Sequence, residues 1–129
     1  MVKTGHIVRS IACALAFALM LKLFLFDFMV AEGPSMQPAI KPGRILVICK
    51  ASYGLRLPAG NYLLRWAHPR KGDVVVFYTP LGEIAVKRCA ESMEDYFYAV
   101  GDNGLHSYDS RSYGPVSVDS IIGRVLGVK

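Results

Sequence analysis

Three cysteines in 129 residues, none of them in a C-x-x-C pair, leave no zinc ribbon and no dithiol redox motif to read. Cys13 falls in an apolar run near the N-terminus. Cys49 and Cys89 fall in apolar, strand-like segments and are expected as two buried thiols rather than a disulfide. There is no internal repeat and no low-complexity tract. Blocks of like charge are missing as well. Residues 32–129 carry 12 lysines and arginines against 9 aspartates and glutamates, dispersed rather than striped and without aromatics interleaved to stack bases. That balance gives no footprint for nucleic acid and leaves only a weak attraction to anionic lipid head groups. No metal and no cofactor is expected.

Apolar sequence is instead concentrated at one end. From Ile7 to Ala31 the only charges are Arg9, Lys22 and Asp27. At about 1.5 Å per helical residue, such a run crosses the roughly 30 Å hydrocarbon core of a bilayer. A span from Ile7 to Phe26 leaves Lys22 near the far interface, where its ammonium can snorkel. Lys3 and Arg9 flank the N-terminal end, which the positive-inside rule assigns to the cytoplasm. The residues after Phe28 are then expected outside, on a single-pass protein of the cytoplasmic membrane. A cleavable signal peptide fits less well, because a cut after Ala31 would put Met29 where a small residue is needed. The chain is thus expected to divide into residues 1–31, a cytoplasmic stub with a transmembrane anchor, and residues 32–129, an extracytoplasmic domain.

That domain reads as mainly β. RILVICK (44–50), DVVVFY (73–78), EIAVKRC (83–89), YFYAV (96–100) and SIIGRVLGV (120–128) are short and rich in β-branched or aromatic residues. Turn signals such as KPG, PAG, TPLG, GDNG and YGP separate them. EIAVKRC and YFYAV, joined by AESMED, predict a hairpin. The spacing favours a small, partly open barrel or a coiled antiparallel sheet.

Two residues stand out chemically. Ser35 lies in GPSMQPAI, just after the apolar run, where a turn needs glycine and proline but not serine. A serine becomes a nucleophile when a base is within hydrogen-bond reach, and the candidates are His68, His106 and the lysines. His68 sits in a polar loop, WAHPRKG, and reads as solvated. His106 stands near Asp109 and would complete a Ser35-His106-Asp109 triad, although adjacency in sequence carries little geometry. Lys87 differs, because strand alternation puts it on one face with Ala85 and Cys89. Apolar company of that kind lowers a lysine from its ordinary value of about 10.4. A lysine snorkelling from a strand edge would show the same pattern.

Taken in order, these segments resemble the type I signal peptidases, membrane-anchored serine proteases that use a Ser-Lys dyad. LKLFLFDFMV followed by GPSMQP looks like the end of the family's anchor and its nucleophile box, which makes Ser35 the nucleophile. KPGRILVICKASYGLRLP is similar to the next segment. KGDVVVFYTP with AVKRCA resembles the box that carries the general base, which falls on Lys87. GDNGLHSYDSRSYGPV resembles the box whose serine supports the lysine and whose Asp and Arg hold the site together, here Ser107, Asp109 and Arg111. The resemblance implies that Gly33 and Pro34 present Ser35, whose backbone N–H faces the oxyanion, and that Met36 lines shallow pockets for small residues. It also implies preprotein substrates with small residues before the cleavage site.

This sequence departs from the family pattern in places. Gly33 stands where one branch carries a hydroxyl, and Ala39 replaces the usual threonine after the box proline. Only 13 residues, Arg88 to Val100, separate Lys87 from Gly101, which leaves no room for the additional β-subdomain of many relatives. Two other functions fit parts of the pattern. One is an inactive membrane-tethered scaffold. The other is a self-cleaving Ser-Lys regulator related to SOS-response repressors, for which Ala59-Gly60 is the available bond but on the wrong side of the serine.

Overall fold

The computed structural model describes residues 2–57 and 62–128, so Ala59-Gly60 lies outside the described residues. Helix α1, Val2–Phe24, follows from an alanine- and leucine-rich run without proline. Its stretch Lys3–Lys22 is long and apolar enough to cross a membrane, and none of it is buried against the rest of the chain. The helix stops two residues short of the expected Phe26, and Phe26–Val30 forms strand β1. Lys50 closes the helix end: its Nζ donates to the Lys22 carbonyl at 3.2 Å and pairs with Asp27 at 3.6 Å. A cation suits the carbonyl-rich end of a helix.

After the helix the chain is mainly β, an antiparallel sheet curled into a half-barrel. Its strands are β2 (Ile45–Cys49), β5 (Val74–Tyr78), β6 (Ile84–Ser92), β7 (Tyr96–Val100), β8 (Val116–Ser117) and β9 (Ile121–Val125), in the order β1-β2-β9-β5-β6-β7-β8. A separate ribbon pairs β3 (Gly54–Arg56) with β4 (Tyr62–Arg65). It is tied to the sheet by Arg56 and the Tyr62 hydroxyl, which both donate to the Ile121 carbonyl, the latter at 2.8 Å.

The central strand shows why the sheet needs cover on both sides. VVVFY alternates Val75 and Phe77 into one core cluster, with Cys89, Phe97, Ala99 and Ile121, and Val74 and Val76 into the other, with Leu46, Ile48, Met36 and Ile40. A strand buried on both faces reads as a continuous apolar run rather than an alternating one. Phe77 and Phe97 meet edge to face at 5.3 Å. The expected hairpin is β6 with β7, but β6 pairs with β7 only from Arg88 onward, and a bulge interrupts it between Cys89 and Glu91. Residues 84–87 pair with β5 alone. Cys49 and Cys89 are free thiols, but only Cys89 is buried as expected, Cys49 being half-buried; burial first, then the charge of Asp73, pushes the Cys89 thiol up to about 11.

Candidate active site

Ser35 sits on the turn that follows β1. Gly33 turns the chain at φ +74°, in the left-handed region that a side chain disfavours. The Ile40 N–H then bonds the Met36 carbonyl at 2.8 Å, and Met36 and Ile40 plug the turn into the core beneath it. This leaves the serine half-buried at the surface. From the other side Asn103 holds the same turn twice. Its backbone N–H donates to the Ser35 carbonyl at 2.9 Å and its side-chain amide to the Pro34 carbonyl at 3.1 Å. Gly101 allows that approach, since a Cβ there would lie 2.1 Å from the Ser107 Oγ and 2.7 Å from the Ser35 carbonyl oxygen.

Lys87 comes from the part of β6 that has no β7 partner, and it is 6% exposed. It stands opposite Val75 across the ladder. Burial lowers it from the ordinary lysine value, the charge of Asp109 pulls it partly back up, and that of Arg111 pushes it down. The next residue, Arg88, grips Asp102 through two parallel bonds of 2.8 and 2.7 Å, fastening the lysine's strand to the turn that carries Asn103.

Behind the lysine lies a closed network around Asp109, which is fully buried. Its carboxylate accepts from Ser107 Oγ at 2.6 Å, the Gly101 N–H at 2.8 Å, and the Arg111 N–H, Nε and a terminal guanidinium nitrogen at 3.1, 3.0 and 2.6 Å. Burial alone would raise this carboxyl. The bonds from Arg111, Ser107 and Gly101 outweigh it and hold the group well below the usual carboxylate range. Asp109 also caps the short helix α2, Ser110–Tyr113. Among the described residues His106 contributes no bond to Asp109; it is exposed on a 3-10 turn, and His68 is exposed too.

Ser35 and Lys87 meet on one cleft of about 460 Å³. One wall is the segment 29–33 and the other is Glu83 to Lys87 with Thr79, while Met36 and Ile40 form an apolar floor. Gly33 is on this lining. Pro34, Ser107, Asp109 and Arg111 are not. Tyr108 also lines it. The sequence pattern alone did not single out Asn103 or Tyr108, although the GDN turn is a signal for the first.

The family described as signal peptidase, peptidase S26, matches residues 4–92 and 85–128. The chain belongs to that family. As a family member it is a peptidase, a hydrolase. Among similar proteins, signal peptidase I of Bacillus caldolyticus is 25% identical over 146 aligned positions, covering 81% of this chain and 80% of the relative. Signal peptidase I of Pseudomonas aeruginosa is 34% identical over 92% of this peptidase but only 41% of its own length. Mitochondrial inner membrane protease subunit 1 of Schizosaccharomyces pombe is 29% identical, over 86% of this chain and 78% of the relative. Three further signal peptidase I relatives are matched over about a quarter of their lengths, at 26, 23 and 26%.

Proposed function

We propose that this peptidase is anchored by α1 in the cytoplasmic membrane, N-terminus inside, and removes N-terminal leader peptides from exported preproteins on the outer side. Ser35 is the nucleophile and Lys87 the base. The observation that carries this reading is a lysine 6% exposed, its pKa lowered by burial, on the same cleft as a half-buried serine. Neutral Lys87 takes the Ser35 hydroxyl proton as Oγ bonds to the scissile carbonyl carbon. The Ser35 N–H supports the oxyanion. The C–N bond then breaks and the lysine passes its proton to the leaving amine. Water, deprotonated by the lysine in turn, bonds to the acyl carbon, and the lysine returns that proton to Oγ as the C–Oγ bond breaks. Ser107, Asp109 and Arg111 hold the lysine's surroundings in place.

The two walls support an extended substrate. Residues 84–87 carry no β7 partner, and β1 is the edge strand of its sheet, so a substrate strand can lie between them. The floor of Met36 and Ile40 is apolar, which fits small apolar residues before the scissile bond. The full chain in liposomes should cleave a leader-bearing preprotein whose bond follows Ala-x-Ala, and Ser35→Ala should abolish that cleavage. Cleavage surviving in the variant would contradict the assignment.

A further inference from the structure

The peptide group that joins Pro34 to Ser35 is held from outside its own turn. Its carbonyl oxygen accepts twice, from the Gln37 N–H at 3.1 Å and from the side-chain amide of Asn103, also at 3.1 Å. The first bond closes a local turn, and the second comes from 69 residues away. Asn103 is itself firmly mounted. Its carbonyl accepts from the His106 N–H at 3.0 Å, its own N–H donates to the Ser35 carbonyl at 2.9 Å, and Arg88 grips the preceding Asp102.

A trans peptide group is planar, with its C=O and N–H pointing in opposite directions. The group between Pro34 and Ser35 is trans. Fixing the Pro34 carbonyl therefore fixes the direction of the Ser35 N–H, which points away from Asn103 and has no acceptor among the described residues. Hydrogen bonds to a carbonyl also polarise the peptide group and make the N–H at its other end a stronger donor. On the reading that Ser35 is the nucleophile, on which this deduction rests, that N–H is the oxyanion donor. We propose that Asn103 is a positioning residue for the reaction: its side-chain amide aims the Ser35 N–H at the oxyanion without touching the substrate. Losing a whole oxyanion donor costs about 10²–10³ in kcat. Gln37 keeps its share of the hold on Pro34, so losing the Asn103 amide should cost less, about tenfold.

The test uses the full chain in detergent micelles, a leader peptide with Ala at the first and third positions before the bond, and the matching peptide aldehyde. Ser35 Oγ bonds to the aldehyde carbon, its proton passes to Lys87, and the aldehyde oxygen takes the place of the oxyanion. Asn103→Ala and Asn103→Leu both remove the amide donor and keep the backbone N–H that bonds Ser35. Each should lower kcat about tenfold with KM within about twofold of wild type, and should weaken aldehyde binding to the same extent as kcat. The acidic limb of the rate profile should stay in place in both, because the base is untouched. A kcat near the wild-type value in either variant overturns the proposal and leaves the peptidase reading standing. So does a loss that appears in KM, or a fall in kcat that the aldehyde does not share, since a loosened turn rather than a misdirected donor gives those. Failure of both variants to fold makes the bond a structural one and overturns the proposal too. Wild type that does not cleave the peptide, or whose cleavage survives Ser35→Ala, overturns the peptidase reading and this proposal with it.

Discussion

Lys87 must be dry enough to give up its proton and still open to the cleft where it would use it. Burial supplies the first condition, and the charges behind it adjust the result in opposite senses: Asp109 favours the ammonium and Arg111 disfavours it. Arg111→Gln removes the disfavouring cation and frees the Asp109 carboxylate from its ion pair. Both changes make Lys87 easier to protonate. Because the base acts only when neutral, the acidic limb of the rate profile should move to higher pH in Arg111→Gln and stay put in His106→Ala. A limb that moves in the histidine variant and not in the arginine variant would point to a histidine base. Ser35 and Lys87 were legible in the sequence because each breaks a local expectation, a serine no turn requires and a cation on an apolar strand face. Asn103 was not, because an amide in a turn has no visible partner until Pro34 and Ser35 are folded against it.

Among the elements, β1 ties the anchor to the site. It pairs with β2 over five positions, from Phe26 with Cys49 to Val30 with Ile45, and Met29 and Ala31 join the core that floors the cleft. The sequence hid it, since FDFMV continues an apolar run and nothing marks where the helical period gives way to a strand. The ribbon strands β3 and β4 were hidden for a different reason: they are three and four residues long, and arginine and tyrosine contacts rather than an apolar face dock them. Strands β2, β5, β6, β7 and β9 were readable from their β-branched runs, because each buries at least one face in a core cluster. A chain shortened to begin at Leu25 should therefore fold, as followed by urea unfolding in mild detergent. One beginning at Glu32 loses β1 and should be less stable by about 3 kcal/mol or more, the scale of losing a large core side chain. Equal midpoints would mean that β1 contributes nothing to the domain.

For the molecule as a whole, the apolar helix α1 leads directly into the β-sheet, and the turn that carries Ser35 follows the first strand. On the proposed topology, that order keeps the cleft close to the membrane surface. With Lys3 and Arg9 retained on the cytoplasmic side, an alkaline phosphatase reporter joined after Lys129 should be active, and a reporter that works only in the cytoplasm should be silent. The reverse pattern would invert the proposed topology. The central claim is that Ser35 and Lys87 act as one unit. Its most direct test is cleavage of the same preprotein by Ser35→Ala, Lys87→Ala and the double variant, all reconstituted in liposomes. Each single change should remove at least about 10³ of the rate, and the double variant should be no worse than either, as for catalytic groups that work together. Lys87→Ala retaining more than about a hundredth of the wild-type rate, or losses that multiply in the double variant, would contradict it.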